Sequence, residues 1–297
     1  MTGRFAPSPT GDLHLGNLRT ALLAWLFARS RGGRFVVRME DLDHGRARDE
    51  FYDRQLADLA ALGIDWDGPV VRQSERTELY EAAIARLEVY PCWCTRAEIR
   101  EAASAPHGEL PEGAYPGTCR RLSAEERAVR EAAGRPAALR LDARAERVEF
   151  EDELLGRRSG VVDDLVLRRG DGAFAYNLAV VVDDAEQGVD HVVRGSDLAD
   201  STPRQLLLAR CLGLREPAYA HVPLVLGPDG ARLAKRHGAV TLAERRALGE
   251  SPGDVVALLA RTLGMEGRSA PELLDRFDPA RLPREPAVLD QAASAGS

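Results

Sequence analysis

Two groups of residues in this 297-residue chain could do chemistry. The first lies in RFAPSPTGDLHLGN, residues 4–17, where two prolines and two glycines crowd a run that carries one histidine, His14. Pro9 and Gly11 break any helix or central strand, yet helix-like apolar sequence begins at once afterwards. A stiff loop running into a helix N-terminus offers unpaired backbone N–H groups to an anion. Gly11 and Gly16 would admit a nucleotide close to the backbone, and His14 could donate to a phosphate or stack beside an adenine. A proline-rich surface loop with a solvated histidine has the same spacing. The second group is Cys92, Cys94 and Cys119, three of the four cysteines. In a reduced compartment, three thiolates so placed suit a tetrahedral structural zinc better than a disulfide. For the fourth ligand, chemistry favours His107, because the phenol of Tyr115 must lose a proton with a pKa of about 10. Four such ligands leave no open position, so the zinc would be structural. Cys211, in a helical run with apolar neighbours, reads as a core thiol.

These residues need elements to hold them. GRFA reads as a short strand, LGNLRTALLAWLFARSRGG as a helix with Leu18, Leu22, Trp25 and Leu26 on one face and Gly32 at its exit, and RFVVRMED as a second strand. That order is the crossover unit of a parallel sheet, whose ligands bind beyond the carboxyl ends of the strands. The opening loop and MEDLD both lie at such ends. Residues 49–66 and 75–89 read as helices, and 90–140 as an insertion holding the cysteines. From 146 the pattern turns to strands: RVEFEDELLG, VVDDLVLRR, FAYNLAVVVDD and DHVVRG. DSTPRQLLLARCLG reads as a helix with Thr202 as cap, Pro203 in its first turn and Gly213 at its exit. YAHVPLVLGPDG leads into the basic stretch RLAKR, residues 232–236, which alone reads as a solvated turn. SPGDVVALLARTLG is a further helix.

The opening string closely resembles the first signature of class I aminoacyl-tRNA synthetases, in its glutamyl form, with His14-Leu15-Gly16-Asn17 where the family usually has His-Ile-Gly-His. RLAKR is similar to the second, lysine-rich signature: Lys235 matches its second lysine, with Arg232 and Ala234 replacing the first lysine and the serine. The resemblance implies a Rossmann-type α/β parallel-sheet catalytic core over 1–242, interrupted by the zinc insertion, with a short helical segment over 243–297. It implies glutamate binding by Arg4, Phe5, Ala6, Pro7, Ser8, Glu40, Tyr176 and Arg194. His14, Gly16, Asn17 and Lys235 would bind ATP, with His14 and Lys235 catalytic and Mg²⁺ assisting. The family spacing Cys-x-Cys then Tyr-x-x-x-Cys favours Tyr115 as fourth zinc ligand.

After Leu242 some 55 residues remain, too few for the anticodon-binding domain that glutamyl enzymes carry. The resemblance is therefore to the truncated branch, which attaches glutamate to queuosine in the tRNA(Asp) anticodon. A fragmentary enzyme charging the tRNA 3′ end, or a non-catalytic binding module, are the alternatives. The net charge of −7 argues against a general nucleic-acid coat, while leaving room for a local basic face. With no apolar run long enough for a bilayer and no basic-then-apolar leader, the expectation is a cytoplasmic monomer that meets no membrane.

Overall fold

A computed structural model describes residues 1–43, 45–103, 114–233 and 235–289. His107 and Ala234 lie outside them. The first crossover forms where the apolar pattern placed it. Strand β1 (Thr2–Phe5) pairs parallel with β2 (Arg34–Met39), joined by helix α1 (Leu15–Arg29). Helix α1 is buried on almost every side, including Leu18, Leu22, Trp25 and Leu26. Gly3 lets it lie against β1, since a Cβ there would stand 3.1 Å from that of Ala28. Helix α2 (Asp49–Ala61) leads to β3 (Val71–Arg72), parallel to β2, and to α3 (Thr77–Ile84).

The cysteine segment forms a small antiparallel sheet. Strand β4 (Val89–Cys92) is followed by α4 (Arg96–Ala103), α5 (Ala124–Ala132) and β5 (Ala138–Leu141), which pairs with β4. The hairpin of β6 (Arg147–Asp152) and β7 (Gly156–Val161) comes next, then β8 (Val166–Arg168), which returns to pair with β5. The small sheet thus draws one strand from beyond residue 140.

FAYNLAVVVDD was expected as a strand and is instead helix α6 (Tyr176–Glu186). Its run of three valines has the composition of a buried strand, but Leu178 through Asp184 are all buried. A helix enclosed on every side shows no 3.6-residue periodicity, and tertiary packing overrides β propensity. Strand β9 (His191–Gly195) follows, then α7 (Thr202–Leu212) and β10 (Ala218–Val222). Thr202 is the first residue of α7 and not its cap; its hydroxyl accepts from Arg194 at 2.9 Å. Pro203 and Gly213 (φ 65°) stand where expected. Cys211, expected in the core, is exposed.

The second sheet has the order β7-β6-β10-β9, with β6, β10 and β9 parallel. It meets the first through Asp190, whose backbone N–H donates to the Thr2 carbonyl at 3.1 Å. The carboxyl ends of β1, β2, β9 and β10 therefore gather at one edge. Strand β11 (Val225–Leu226) pairs with β12 (Ala287–Val288), and α8 (Leu242–Ala247), α9 (Pro252–Arg261) and α10 (Ala270–Leu274) lie between them in sequence.

Candidate active site

At that edge lies a cleft of about 660 Å³. Arg4, Phe5, Ala6, Pro7, Ser8, His14, Gly16, Asn17, Glu40, Tyr176 and Arg194 all line it. The proline-rich loop is held at its carbonyl groups. Pro7 accepts from the backbone of Glu40 at 2.9 Å, Pro9 from that of Arg48 at 3.0 Å, and Ser8 and Gly11 from the buried amide of Gln55 at 3.1 and 2.7 Å. A loop whose carbonyls are satisfied this way is rigid, not a solvated strand of coil.

His14 caps α1. Its Nδ1 accepts from the Asn17 backbone at 3.2 Å, and the Asn17 side chain accepts from the His14 backbone at 3.3 Å. This reciprocal pair is a capping box. Because Nδ1 accepts, the neutral ring carries its proton on Nε2 as a donor. Burial, and then the charge of Arg232, lower the His14 pKa below 6.5, so the ring is neutral at physiological pH. A Cβ on Gly16 would stand 3.0 Å from two atoms of the His14 ring. Gly16 thus makes room for the histidine itself. A β-bridge between His14 and Thr241, with Leu15 donating to the Val240 carbonyl at 2.7 Å, ties this loop to the segment after the basic stretch at residues 232–236.

Behind the cleft lies a buried network of charge. Arg38 donates to Asp184 at 2.7 Å and to Glu40 at 3.4 Å, and its Nε is 3.7 Å from Asp183. Asp183 also accepts from Gln73, Arg76 and Tyr80 at 2.6–2.8 Å. Arg4 donates to the Val193 carbonyl at 3.3 Å and lies 3.5 Å from Asp184. Three guanidinium groups here meet three carboxylates. Burial raises the Glu40 pKa, against the opposing pull of Arg38 and Arg4. Among the described residues its carboxylate accepts one hydrogen bond, from Arg38, and so can receive another cation. Tyr176 opens α6 beside it, 38% exposed.

Arg194 stands apart from that balance. It donates to His221 Nε2 at 3.0 Å, Gln205 at 2.7 Å, Thr202 at 2.9 Å and the Leu198 carbonyl at 3.3 Å. All four acceptors are neutral, and among the described residues no carboxylate touches this buried cation. A cleft with an uncompensated guanidinium is built for an anionic group.

Arg19, which the sequence reading passed over, is similar. It is 2% exposed and lines the same cleft. It bonds only neutral groups among the described residues, the Pro223 carbonyl at 2.6 Å and Thr262 Oγ1 at 2.8 Å. Burial lowers its pKa to about 10, so it stays charged. The available signal was an arginine four residues after Leu15, within the largely apolar helix α1. Arg38, Asp183, Asp184, His221 and Asp152 were also missed: the first four sit in largely apolar elements, Asp152 ends a charged strand, RVEFED, and each meets its partners only in three dimensions. In the basic stretch, Arg232 is exposed and pairs with Asp197 at 2.6 Å. Lys235 begins a short 3₁₀ turn, Lys235–His237.

The cysteine segment converges as its spacing suggested. The sulfurs of Cys92, Cys94 and Cys119 lie within 4.8 Å of one another. The Tyr115 hydroxyl is 3.4 Å from Cys92 Sγ and 3.8 Å from Cys94 Sγ, and accepts from the Cys119 backbone at 2.7 Å. Zn–S bonds of about 2.3 Å at tetrahedral angles put sulfurs about 3.8 Å apart, so the donor set fits zinc. The guanidinium of Arg140 lies 3.8 Å from the Tyr115 ring centre.

Comparison with known proteins agrees with this geometry. Residues 1–285 match the family model for the catalytic domain of class I tRNA synthetases (E and Q). A Glutamyl-Q tRNA(Asp) synthetase of Nocardia farcinica is 67% identical, over 97% of this chain and 92% of its own length. One of Symbiobacterium thermophilum is 55% identical over 96% and 95%. The crystal structure of a glutamate tRNA ligase from Elizabethkingia meningosepticum in complex with its amino acid superposes with a TM-score of 0.82 at 29% identity, covering 97% of this chain and 66% of the ligase. The chain belongs to the class I tRNA synthetase family of the E and Q type, in its Glutamyl-Q tRNA(Asp) synthetase branch.

Proposed function

We propose that the chain activates L-glutamate with ATP and transfers it to queuosine in the anticodon of tRNA(Asp). The observation that carries the activation step is the cleft itself. It is lined by a buried Arg194 with no carboxylate partner among the described residues, and by Glu40, whose carboxylate accepts from Arg38 alone among them. A bound glutamate would place its side-chain carboxylate on the Arg4 and Arg194 guanidiniums and its ammonium on Glu40, with Ser8 and Tyr176 closing the pocket. Phe5, Ala6 and Pro7 supply backbone to that wall. The α-carboxylate is then free to attack the ATP α-phosphorus in line, and pyrophosphate leaves. His14, as an Nε2 donor at the start of α1, and the Gly16 backbone N–H would stabilise the charge that develops, with Asn17 acting through the His14 ring that its own N–H holds. Lys235 would follow the departing pyrophosphate. Mg²⁺ supplies charge neutralisation on the phosphates. A nucleoside hydroxyl of the tRNA then attacks the glutamyl carbonyl of the mixed anhydride, the acyl–phosphate bond breaks, and AMP leaves while the hydroxyl proton passes to its phosphate or to water, so no covalent enzyme intermediate is needed. Cys92, Cys94, Tyr115 and Cys119 would hold a structural zinc that fixes the small sheet.

The acceptor rests on the relatives' names and the tests therefore separate two steps. Glutamate-dependent pyrophosphate exchange with ATP, run without tRNA, tests activation. Labelled glutamate should then appear on tRNA(Asp) containing queuosine and not on queuosine-free tRNA. Equal labelling of both, lost on periodate treatment of the 3′ end, would assign the chain to terminal charging instead. Silence in the exchange assay from folded protein would leave only a binding module.

A further inference from the structure

Arg194, His221 and Asp152 stand in a row across three neighbouring parallel strands. Arg194 lies on β9 opposite His221 on β10, and Asp152 ends β6 beside β10. All three are buried. His221 Nδ1 is 2.6 Å from Asp152 Oδ2, and His221 Nε2 is 3.0 Å from Arg194 Nε. An arginine N–H can only donate, so Nε2 must be unprotonated and the imidazole proton must sit on Nδ1, donated to Asp152. Asp152 is itself fixed as an anion by backbone N–H groups of Leu154, Leu155 and His221 at 2.9–3.2 Å.

We propose that Asp152 and His221 are positioning residues: they lock one imidazole tautomer, which orients the Arg194 fork for the side-chain carboxylate of the substrate. This rests on the reading in which Arg194 receives that carboxylate. The arrangement has a particular electrostatic consequence. A carboxylate bonded directly to Arg194 would occupy the fork and cancel its charge. Here Asp152 acts through a neutral ring, so the fork is oriented while its charge stays available to the ligand. Four of the five guanidinium N–H groups have acceptors, and one on Nη1 remains for substrate. The groups facing the imidazole are Asp152, Arg194, Thr202 (3.2 Å from Nε2), the stacked Tyr219 (5.7 Å between ring centres) and Phe150, with Arg4 acting at longer range. Burial first, and then the two arginines, outweigh Asp152 and lower the His221 pKa, which keeps the ring neutral at physiological pH.

The test is Asp152→Asn in the full chain. The new amide keeps an oxygen for the backbone N–H groups but turns an N–H toward Nδ1. That drives the imidazole proton to Nε2, against the Arg194 Nε–H. In ATP–pyrophosphate exchange the KM for glutamate should rise about tenfold or more, the effect of losing one charge-assisted hydrogen bond, with the KM for ATP unchanged within about twofold. Ring-¹⁵N histidine spectra should show His221 as the Nδ1–H tautomer in the native chain and as Nε2–H in the variant. His221→Gln, whose carbonyl oxygen can accept from Arg194 while its amide donates to Asp152, should recover most of the glutamate KM; His221→Leu should not. An unchanged glutamate KM in Asp152→Asn, or equal rises in both KM values with a collapse of Tm, would overturn the proposal. A native chain that fails to exchange with glutamate would overturn the functional reading instead, and an Nε2–H signal in that same chain would overturn the tautomer independently.

Discussion

Arg38→Met probes the buried charge network directly. Arg38 is fully buried and faces Asp184 at 2.7 Å, Glu40 at 3.4 Å and Asp183 at 3.7 Å. After its removal Asp183 keeps Arg76 at 2.6 Å and Asp184 keeps Arg4 at 3.5 Å. Glu40 loses the one ion-pair partner it has among the described residues. Deleting one member of a buried ionic cluster costs about 3–5 kcal/mol, because the remaining charge stays desolvated. For a chain of this size that is a fall in Tm on the order of 10 °C. The pH dependence gives the sharper signature. Burial already raises the folded-state pKa of Glu40 above 4.5, and Arg38 is the largest influence opposing that rise. In the variant that opposition is gone and the folded-state pKa rises further, so that between the unfolded and folded values the folded chain holds a proton on Glu40 that the unfolded chain releases. A raised carboxyl pKa makes stability fall as pH climbs from about 4.5 to the folded-state value, at about 1.4 kcal/mol per pH unit, and level off above it. Urea unfolding of both proteins at pH 5, 6, 7 and 8 should show the deficit growing with pH. The glutamate KM should rise as well, because a neutral Glu40 no longer pairs with an ammonium. A deficit below about 1 kcal/mol, or one that is the same at every pH, would refute the reasoning.

Three further outcomes follow from the same geometry. Arg19→Met should cost only about 1–2 kcal/mol of stability, since a desolvated cation leaves with its two neutral hydrogen bonds, yet raise the KM of an anionic substrate, ATP or glutamate, about tenfold because that cation lines the cleft; strong destabilisation with both KM values unchanged would make Arg19 purely structural. Gly16→Ala should force the His14 ring off its cap, costing about 1 kcal/mol by thermal unfolding and raising the ATP KM in the exchange assay. Elemental analysis should find one zinc per chain, lost in Cys94→Ala and lost faster to a chelator in Tyr115→Phe; loss of zinc in His107→Ala would move the fourth ligand to the histidine.

What could be read before the structure was local. The β1-α1-β2 crossover announces itself through apolar runs bounded by Gly and Pro, and the cysteines through their spacing. What could not be read depends on distant residues meeting. Arg38 and Asp183 stand 145 positions apart in segments whose neighbours are apolar, so each reads singly as an anomaly and only together as a network. The α6 valines failed for the opposite reason, because complete burial erases the periodicity by which a helix is recognised.

Asn17 shows how the two kinds of information join. As a sequence position it is a departure, an amide where the family signature ends in histidine. In the structure it is the third residue of α1, and its side chain closes the capping box that holds the His14 backbone while its own N–H holds the His14 ring. An asparagine can accept through its carbonyl oxygen with a side chain short enough for that turn. The substitution therefore keeps an imidazole fixed by its Nδ1 with Nε2–H left as the donor, which is the feature the role proposed for His14 requires.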